Sequence, residues 1–174
     1  MTAETDLRSH IRDVPDFPRP GIVYKDITPL LLDASALSAT VDRLAAYAQS
    51  KSVDFVVSAE ARGFVLGGAV AVAAGAGFVL ARKPGKLPRE VHSEEYELEY
   101  GVDALEVHSD AMSGGARVLV HDDLLATGGT AEALCGLVER AGGRVVGCAF
   151  VIELEFLNGR RRLEGRDVLS LISY

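Results

Sequence analysis

The stretch Arg117-Val-Leu-Val-His-Asp-Asp-Leu-Leu-Ala-Thr-Gly-Gly-Thr130 joins an apolar run, two adjacent acids, a short turn and a Thr-Gly-Gly-Thr. That order is expected of a buried strand leading through a turn into a helix. Gly128 and Gly129 allow positive φ and close approach, so successive backbone N–H groups can face a single anion. Thr127 and Thr130 add hydroxyl donors, and a helix beginning near Thr130 adds the positive end of its dipole. Together with Ala126 these residues form a cradle suited to a phosphate monoester. Asp122 and Asp123, at the strand's end, are acceptors placed for sugar hydroxyls, and phosphate plus ribose suggests a ribose 5-phosphate. An ordinary glycine turn before a capped helix could use the same residue types, but the paired acids ahead of it favour a binding site.

Other phosphate chemistries fail on the residues present. Gly85-Lys86 is followed by Leu87, so there is no nucleotide-hydrolysing P-loop, and Gly75-Ala-Gly77 lacks the third glycine of a dinucleotide fingerprint. His10, His92, His108 and His121 show no metal-ligand spacing, so no protein metal site is expected.

The elements that must position these residues follow from hydrophobic periodicity. Leu37, Val41, Leu44 and Ala48 make one stripe of a helix over 35–49, with Asp33 or Ser35 as its cap. Residues 53–58, 78–81, 117–121 and 145–152 read as short strands, with helices between the first two and, over 130–141, between the last two. Strands apolar on both faces need helices above and below, which predicts an α/β fold with an open, doubly wound, mainly parallel sheet. Residues 64–81 carry no charge, yet Gly75 and Gly77 divide them into a buried helix and a buried strand rather than a membrane span. A last strand-like run covers 168–174.

Two stretches escape the regular pattern. Residues 13–31 hold Pro15, Pro18, Pro20, Gly21 and Pro29, too many breakers for regular structure, together with Phe17, Ile22, Val23, Tyr24 and Ile27, which favour burial. A packed flap is expected there. Residues 82–101 begin with Arg82, Lys83, Lys86 and Arg89 and continue with Glu90, Glu94, Glu95, Glu97 and Glu99. By itself such a run reads equally well as a solvated charged face.

The chain has 174 residues, 48% hydrophobic and 25% charged, in line with one globular domain over 1–174. The 18 Lys and Arg against 25 Asp and Glu leave a net charge of −7, the wrong sign for a nucleic-acid binder. No secretory signal is expected, because the opening segment lacks an apolar stretch, and Cys135 and Cys148 fit small buried residues of a cytoplasmic protein without a redox role.

Val118 to Thr130 resembles the phosphoribosyl pyrophosphate signature of the type I phosphoribosyltransferases, in the form carried by the adenine phosphoribosyltransferases. Asp16-Phe-Pro-x-Pro-Gly-Ile-Val-Tyr-Lys-Asp-Ile-Thr-Pro29, Glu60-Ala-Arg-Gly-Phe64, Arg82-Lys-Pro-Gly-Lys-Leu-Pro88 and Tyr96-x-Leu-Glu-Tyr-Gly101 resemble the same family in the same order, so that residues 14–163 are covered. The resemblance implies the type I phosphoribosyltransferase fold, with a base-binding N-terminal flap over about 13–31 and a flexible hood loop over about 82–101. It implies transfer of the 5-phosphoribosyl group from phosphoribosyl pyrophosphate to adenine, giving AMP and pyrophosphate in purine salvage. A 6-oxopurine enzyme and a non-catalytic nucleotide-sensing regulator of the same fold are the alternatives.

The resemblance also implies roles for individual residues. Residues 58–63 would be a pyrophosphate loop with a non-proline cis peptide on one side of Ala61, and Arg62 would offer its fork to phosphate oxygens or to the base edge. Lys83 and Lys86 would meet the departing pyrophosphate, Glu99 would handle the proton of the adenine imidazole edge, and Tyr100 would close over the site. Tyr24 would stack on the purine, with backbone near Val23 reading its amino edge and Lys25 close by; relatives often carry Phe and Arg at these last two side chains. Mg²⁺ would arrive mainly on phosphoribosyl pyrophosphate, and the protein would be a homodimer.

Overall fold

Strands with apolar residues on both faces are stable only between two layers, and the computed structural model shows how this chain covers them. It describes residues 6–98, 101–112 and 114–174. Five parallel strands form the sheet in the order β4 (Gly77–Ala81), β3 (Phe55–Ala59), β7 (Arg117–Leu125), β8 (Arg144–Glu153), β9 (Val168–Ser173). Alternate side chains enter opposite cores: Val118 and Val120 of β7 join one buried cluster and Leu119 between them joins the other. Helices α1 (Thr28–Leu32), α2 (Ala34–Ser50) and α3 (Arg62–Ala74) contribute Leu30, Leu44, Leu66 and Val70 to the Leu119 side. Helix α4 (Gly129–Arg140) contributes Leu134, Leu137 and Val138 to the other. The expected doubly wound sheet is therefore observed, and Asp33 caps α2 by accepting from the Ala36 amide at 2.8 Å.

The uncharged run splits as the glycines require: α3 ends at a left-handed Gly75 and β4 follows. No helix among the described residues is long and apolar enough to cross a membrane. Cys135 and Cys148 are buried and share no disulfide; their thiols lie within hydrogen-bond reach, sulfurs 3.9 Å apart.

Both irregular stretches carry more regular structure than expected. Within residues 13–31, β1 (Arg12–Pro15) and β2 (Val23–Asp26) pair as an antiparallel hairpin, followed by α1. The prolines sit at the strand end, in the hairpin loop and in the first turn of α1, where a missing N–H costs little. Ile27 is buried, whereas Phe17, Ile22 and Val23 are exposed, because a lone hairpin has no second layer to cover that face. Among the described residues of 82–101, β5 (Val91–Leu98) follows a turn and pairs with β6 (Gly101–His108), again antiparallel. Leu105 and Val107 of β6 belong to the core beside α4, and Glu94 of β5 pairs with Arg140 of α4 at 2.8 Å. Glu94, Glu95 and Glu97 of the charge run thus lie on a strand anchored to α4.

Helix α3 approaches β3 very closely, and its glycines are the reason. A Cβ at Gly67 would lie 2.4 Å from Ser58 Oγ and 2.7 Å from the Phe78 ring, and one at Gly63 would lie 2.9 Å from Asp122 Oδ1. Gly67→Ala should therefore lower stability by about 1–3 kcal/mol, the usual cost of overpacking, despite alanine's better helix propensity. Urea denaturation of the two proteins checks this, and an unchanged midpoint would refute it.

Candidate active site

In the sheet, β3 is followed in the chain by β4 on one side, while β7 lies on its other side. The chain direction across the sheet therefore reverses between β3 and β7, which opens a crevice at their carboxyl ends. The segment after β3 carries Arg62, and the segment after β7 carries the Thr-Gly-Gly-Thr bend. Strand β7 runs further than expected, to Leu125, because Asp122, Leu124 and Leu125 still pair with Phe150, Ile152 and Glu153 of β8. Both acids are therefore held in strand register rather than on a turn. Gly128 takes φ 87° and caps α4, whose first residue is the buried Gly129. The first amides of a helix lack intrahelical acceptors, so the bend presents them to the crevice.

A cavity of about 600 Å³ fills this crevice. Asp122, Asp123 and residues 126–130 line its floor, Arg62 one side, and Ile22 and Val23 of the flap an apolar edge. Phe156 and Leu157 add further apolar lining, and neither was evident from the sequence. The available signal was weak: a phenylalanine in the polar, glycine-containing turn after β8, which is 69% exposed here.

The electrostatics of the floor are asymmetric. Asp123 is buried and accepts a contact from Arg62 Nε at 3.1 Å. Burial, reinforced by the neighbouring Asp123 carboxylate, pushes the Asp122 carboxyl well above the ordinary range. Arg62 also donates from Nη1 to the Tyr24 hydroxyl, so this side chain links flap to floor. Tyr24 does not line the cavity; its ring meets Phe17 edge-on, centroids 5.2 Å apart.

The other described candidate site residues from the sequence are not among those lining the cavity. The cis peptide falls between Glu60 and Ala61, and Ala61 is the N-cap of α3. Glu60 accepts from the Lys83 amide at 2.6 Å and from Arg82 Nη2 at 3.2 Å, and these bonds, the Lys83 amide foremost, hold its carboxyl below the ordinary range. Lys83 pairs with Asp103 of β6, and its Nζ lies 3.5 Å from the Tyr96 hydroxyl. Lys86 is exposed at the neighbouring turn. Lys25 points away, to Asp13 at 2.6 Å and over the Tyr174 ring at 3.9 Å. Glu99 and Tyr100 lie outside the described residues.

Residues 29–168 match the phosphoribosyl transferase domain family. The chain belongs to the phosphoribosyltransferase family. It is 63% identical over 169 residues to the adenine phosphoribosyltransferase of Rubrobacter xylanophilus, covering 97% of this chain and 91% of that one. The crystal structure of adenine phosphoribosyltransferase from Thermoanaerobacter pseudethanolicus matches with TM-score 0.93 at 50% identity, over 97% of this chain and 98% of that one. The Saccharomyces cerevisiae enzyme, solved with D-2,5-dideoxy-2,5-imino-altritol 1,6-bisphosphate and adenine, matches with TM-score 0.90 at 36% identity, over 95% of this chain and 96% of that one. The sheet described above is thus a type I phosphoribosyltransferase fold.

The residue preceding the acids gives this phosphoribosyltransferase a pH signature. His121 is fully buried; its Nδ1 lies 2.9 Å from the Ala149 carbonyl, which can only accept, so Nδ1 carries the proton. Burial pushes its pKa down to about 4. The unfolded chain takes up a proton near pH 6.5 and the folded one only near 4, so this stability is present above the first value and lost as pH falls toward the second. The loss should amount to about 3 kcal/mol across that window. Urea denaturation of wild type and His121→Asn between these pH values should show a steeper loss in the wild type; parallel curves would refute the assignment.

Proposed function

We propose that this chain joins adenine to phosphoribosyl pyrophosphate, giving AMP and pyrophosphate, and so serves purine salvage. The observation that carries this reading is one cavity uniting a helix-terminal bend, two acids and apolar side chains from the flap and from the turn after β8. Those features match a phosphate, a ribose and a flat base in sequence, and the yeast relative was solved with adenine and a sugar-like bisphosphate.

The 5-phosphate would lie on Ala126, Thr127, Gly128, Gly129 and Thr130, and the ribose hydroxyls on Asp122 and Asp123. The base would enter between Val23 and the Phe156–Leu157 edge. Arg62, held between Tyr24 and Asp123, is placed to tie base binding to the ribose floor. As the bond from ribose C1 to pyrophosphate breaks and that to the base nitrogen forms, negative charge builds on the leaving group. Lys83 and Lys86 would meet it by leaving their present positions at the hairpin base. Glu99 would take the proton released by the base, and Tyr100 would screen the site from water.

Mg²⁺ suits this donor set as a companion of the substrate. No group of three or more His, Cys, Asp or Glu among the described residues could cage a metal, and one of the two floor acids already pairs with Arg62. Asp122 and Asp123 would face a cation carried on phosphoribosyl pyrophosphate, which would supply charge neutralisation to the diphosphate.

The outer face of α3 supports a homodimer. Val65, Ala69 and Val72 are exposed on a helix without charge after Arg62, and Leu80 is exposed on the adjoining edge strand β4. An uncharged face continued by a sheet edge is suited to a second copy of the chain. The net charge of −7 and the absence of a spanning helix among the described residues favour a cytoplasmic enzyme of small molecules over a nucleic-acid or membrane protein.

Incubation with Mg²⁺, phosphoribosyl pyrophosphate and each purine base in turn should yield AMP from adenine and no nucleotide from hypoxanthine, guanine or xanthine; a 6-oxopurine nucleotide instead would overturn the reading. Asp123→Asn removes a charged partner of Arg62, so kcat/KM for phosphoribosyl pyrophosphate should fall about 10- to 100-fold, as expected for loss of one charged hydrogen bond. Steady-state kinetics would detect it, and a change below twofold would remove Asp123 from the ribose floor.

A further inference from the structure

The segment after β8 touches the phosphate bend with its backbone. A Cβ at Gly159 would lie 2.3 Å from the Ala126 carbonyl oxygen and 3.1 Å from the Gly128 nitrogen. Reciprocally, a Cβ at Gly128 would lie 2.5 Å from the Gly159 carbonyl oxygen. The obstructing atoms are main chain on both sides, so they cannot swing aside as a flexible side chain would. Two glycines far apart in sequence are therefore interlocked, and the position of one fixes the other.

Gly159 is itself held by its neighbour. Arg160 forms two bonds to Glu153, Nε to Oε1 and Nη2 to Oε2, each 2.7 Å. It also donates from Nη1 to the Val168 carbonyl at 3.1 Å. The Ser170 hydroxyl donates to Glu153 Oε2 at 2.7 Å, tying the pair to β9. Glu153 is the last residue of β8 and 3% exposed. Burial alone would raise its carboxyl, but the bonds from Arg160 and Ser170 outweigh that and keep it below the ordinary range. At the other end the Leu154 amide donates to the Leu125 carbonyl at 2.9 Å, just before the bend. Between these anchors lie Phe156 and Leu157, the apolar edge of the cavity. A fork that joins the two ends of this short loop does more than decorate a surface: it sets where Gly159 meets the bend.

Resting on the phosphoribosyl reading above, we infer that Glu153, Arg160 and Gly159 are positioning residues that hold the 126–130 bend in its phosphate-binding shape from behind. None of them lines the cavity, so they act through the bend. The effect should fall on recognition of the sugar phosphate.

The test compares Gly159→Ala, Arg160→Met and Arg160→Lys with wild type, using steady-state kinetics and calorimetric binding of ribose 5-phosphate. Gly159→Ala and Arg160→Met should raise KM for phosphoribosyl pyrophosphate and weaken ribose 5-phosphate binding at least tenfold, with kcat less affected. Arg160→Lys, which keeps the charge without the fork, should fall between Met and wild type. A structural role alone would lower thermal stability and the active fraction without moving KM. Arg166→Met, which breaks the Arg166–Glu139 pair near the far end of α4, serves as the control and should leave both constants within twofold. Folded Gly159→Ala and Arg160→Met with constants within twofold of wild type would overturn the proposal. If Arg160→Met did not fold, wild-type constants in Arg160→Lys and Gly159→Ala would do the same. Failure of the wild type to form AMP would instead refute the reaction, while ribose 5-phosphate binding would still judge the positioning role.

Discussion

A backbone can hold a phosphate only where several amide groups are free at one point and the chain can turn tightly enough to aim them. In this protein that condition is met where β7 gives way to α4, at a left-handed Gly128 followed by a buried Gly129. Everything else about the candidate site is arranged around that bend. Strand β7 extends in register with β8 up to Leu125, so Asp122 and Asp123 come to the crevice from a rigid strand. Gly63 lets α3 pass close to Asp122, where a Cβ would stand 2.9 Å from the carboxylate.

Arg62 and Lys83 link the flap, the floor and the hairpin. Arg62 reaches the Tyr24 hydroxyl on one side and Asp123 on the other, so a base seated at the flap and a ribose seated on the floor would share one guanidinium. Lys83 is occupied with Asp103, while its own amide braces Glu60 beside the cis peptide. The hairpin base and the loop after β3 are thereby joined.

Much of the fold was legible in local pattern. Apolar runs and helical periodicity located the five strands of the main sheet and three of the helices, because burial on both faces of a strand leaves no polar alternation to confuse the reading. The glycine bend and the paired acids were legible for a different reason: they are adjacent residues, so their pattern survives in one short stretch of sequence. The two antiparallel hairpins were not anticipated, since proline-rich and charge-rich stretches conceal strands whose main partners are each other. Lys25 and Tyr24 show the same limit. Both were placed at the base by resemblance, and which way each points depends on Asp13, Tyr174, Phe17 and Arg62, partners set by tertiary packing.

The sequence by itself determined the sheet strands, the helices between them and the glycine bend before α4, because hydrophobic period and glycine conformation are properties of neighbouring residues. Tertiary structure alone decided the rest of the cavity: Phe156 and Leu157 in its lining, Gly159 against the Ala126 carbonyl, and Glu153 with Arg160 behind them. Those contacts bring together backbone segments some thirty positions apart, and a close approach between two main chains leaves no trace in either segment except the smallness of glycine.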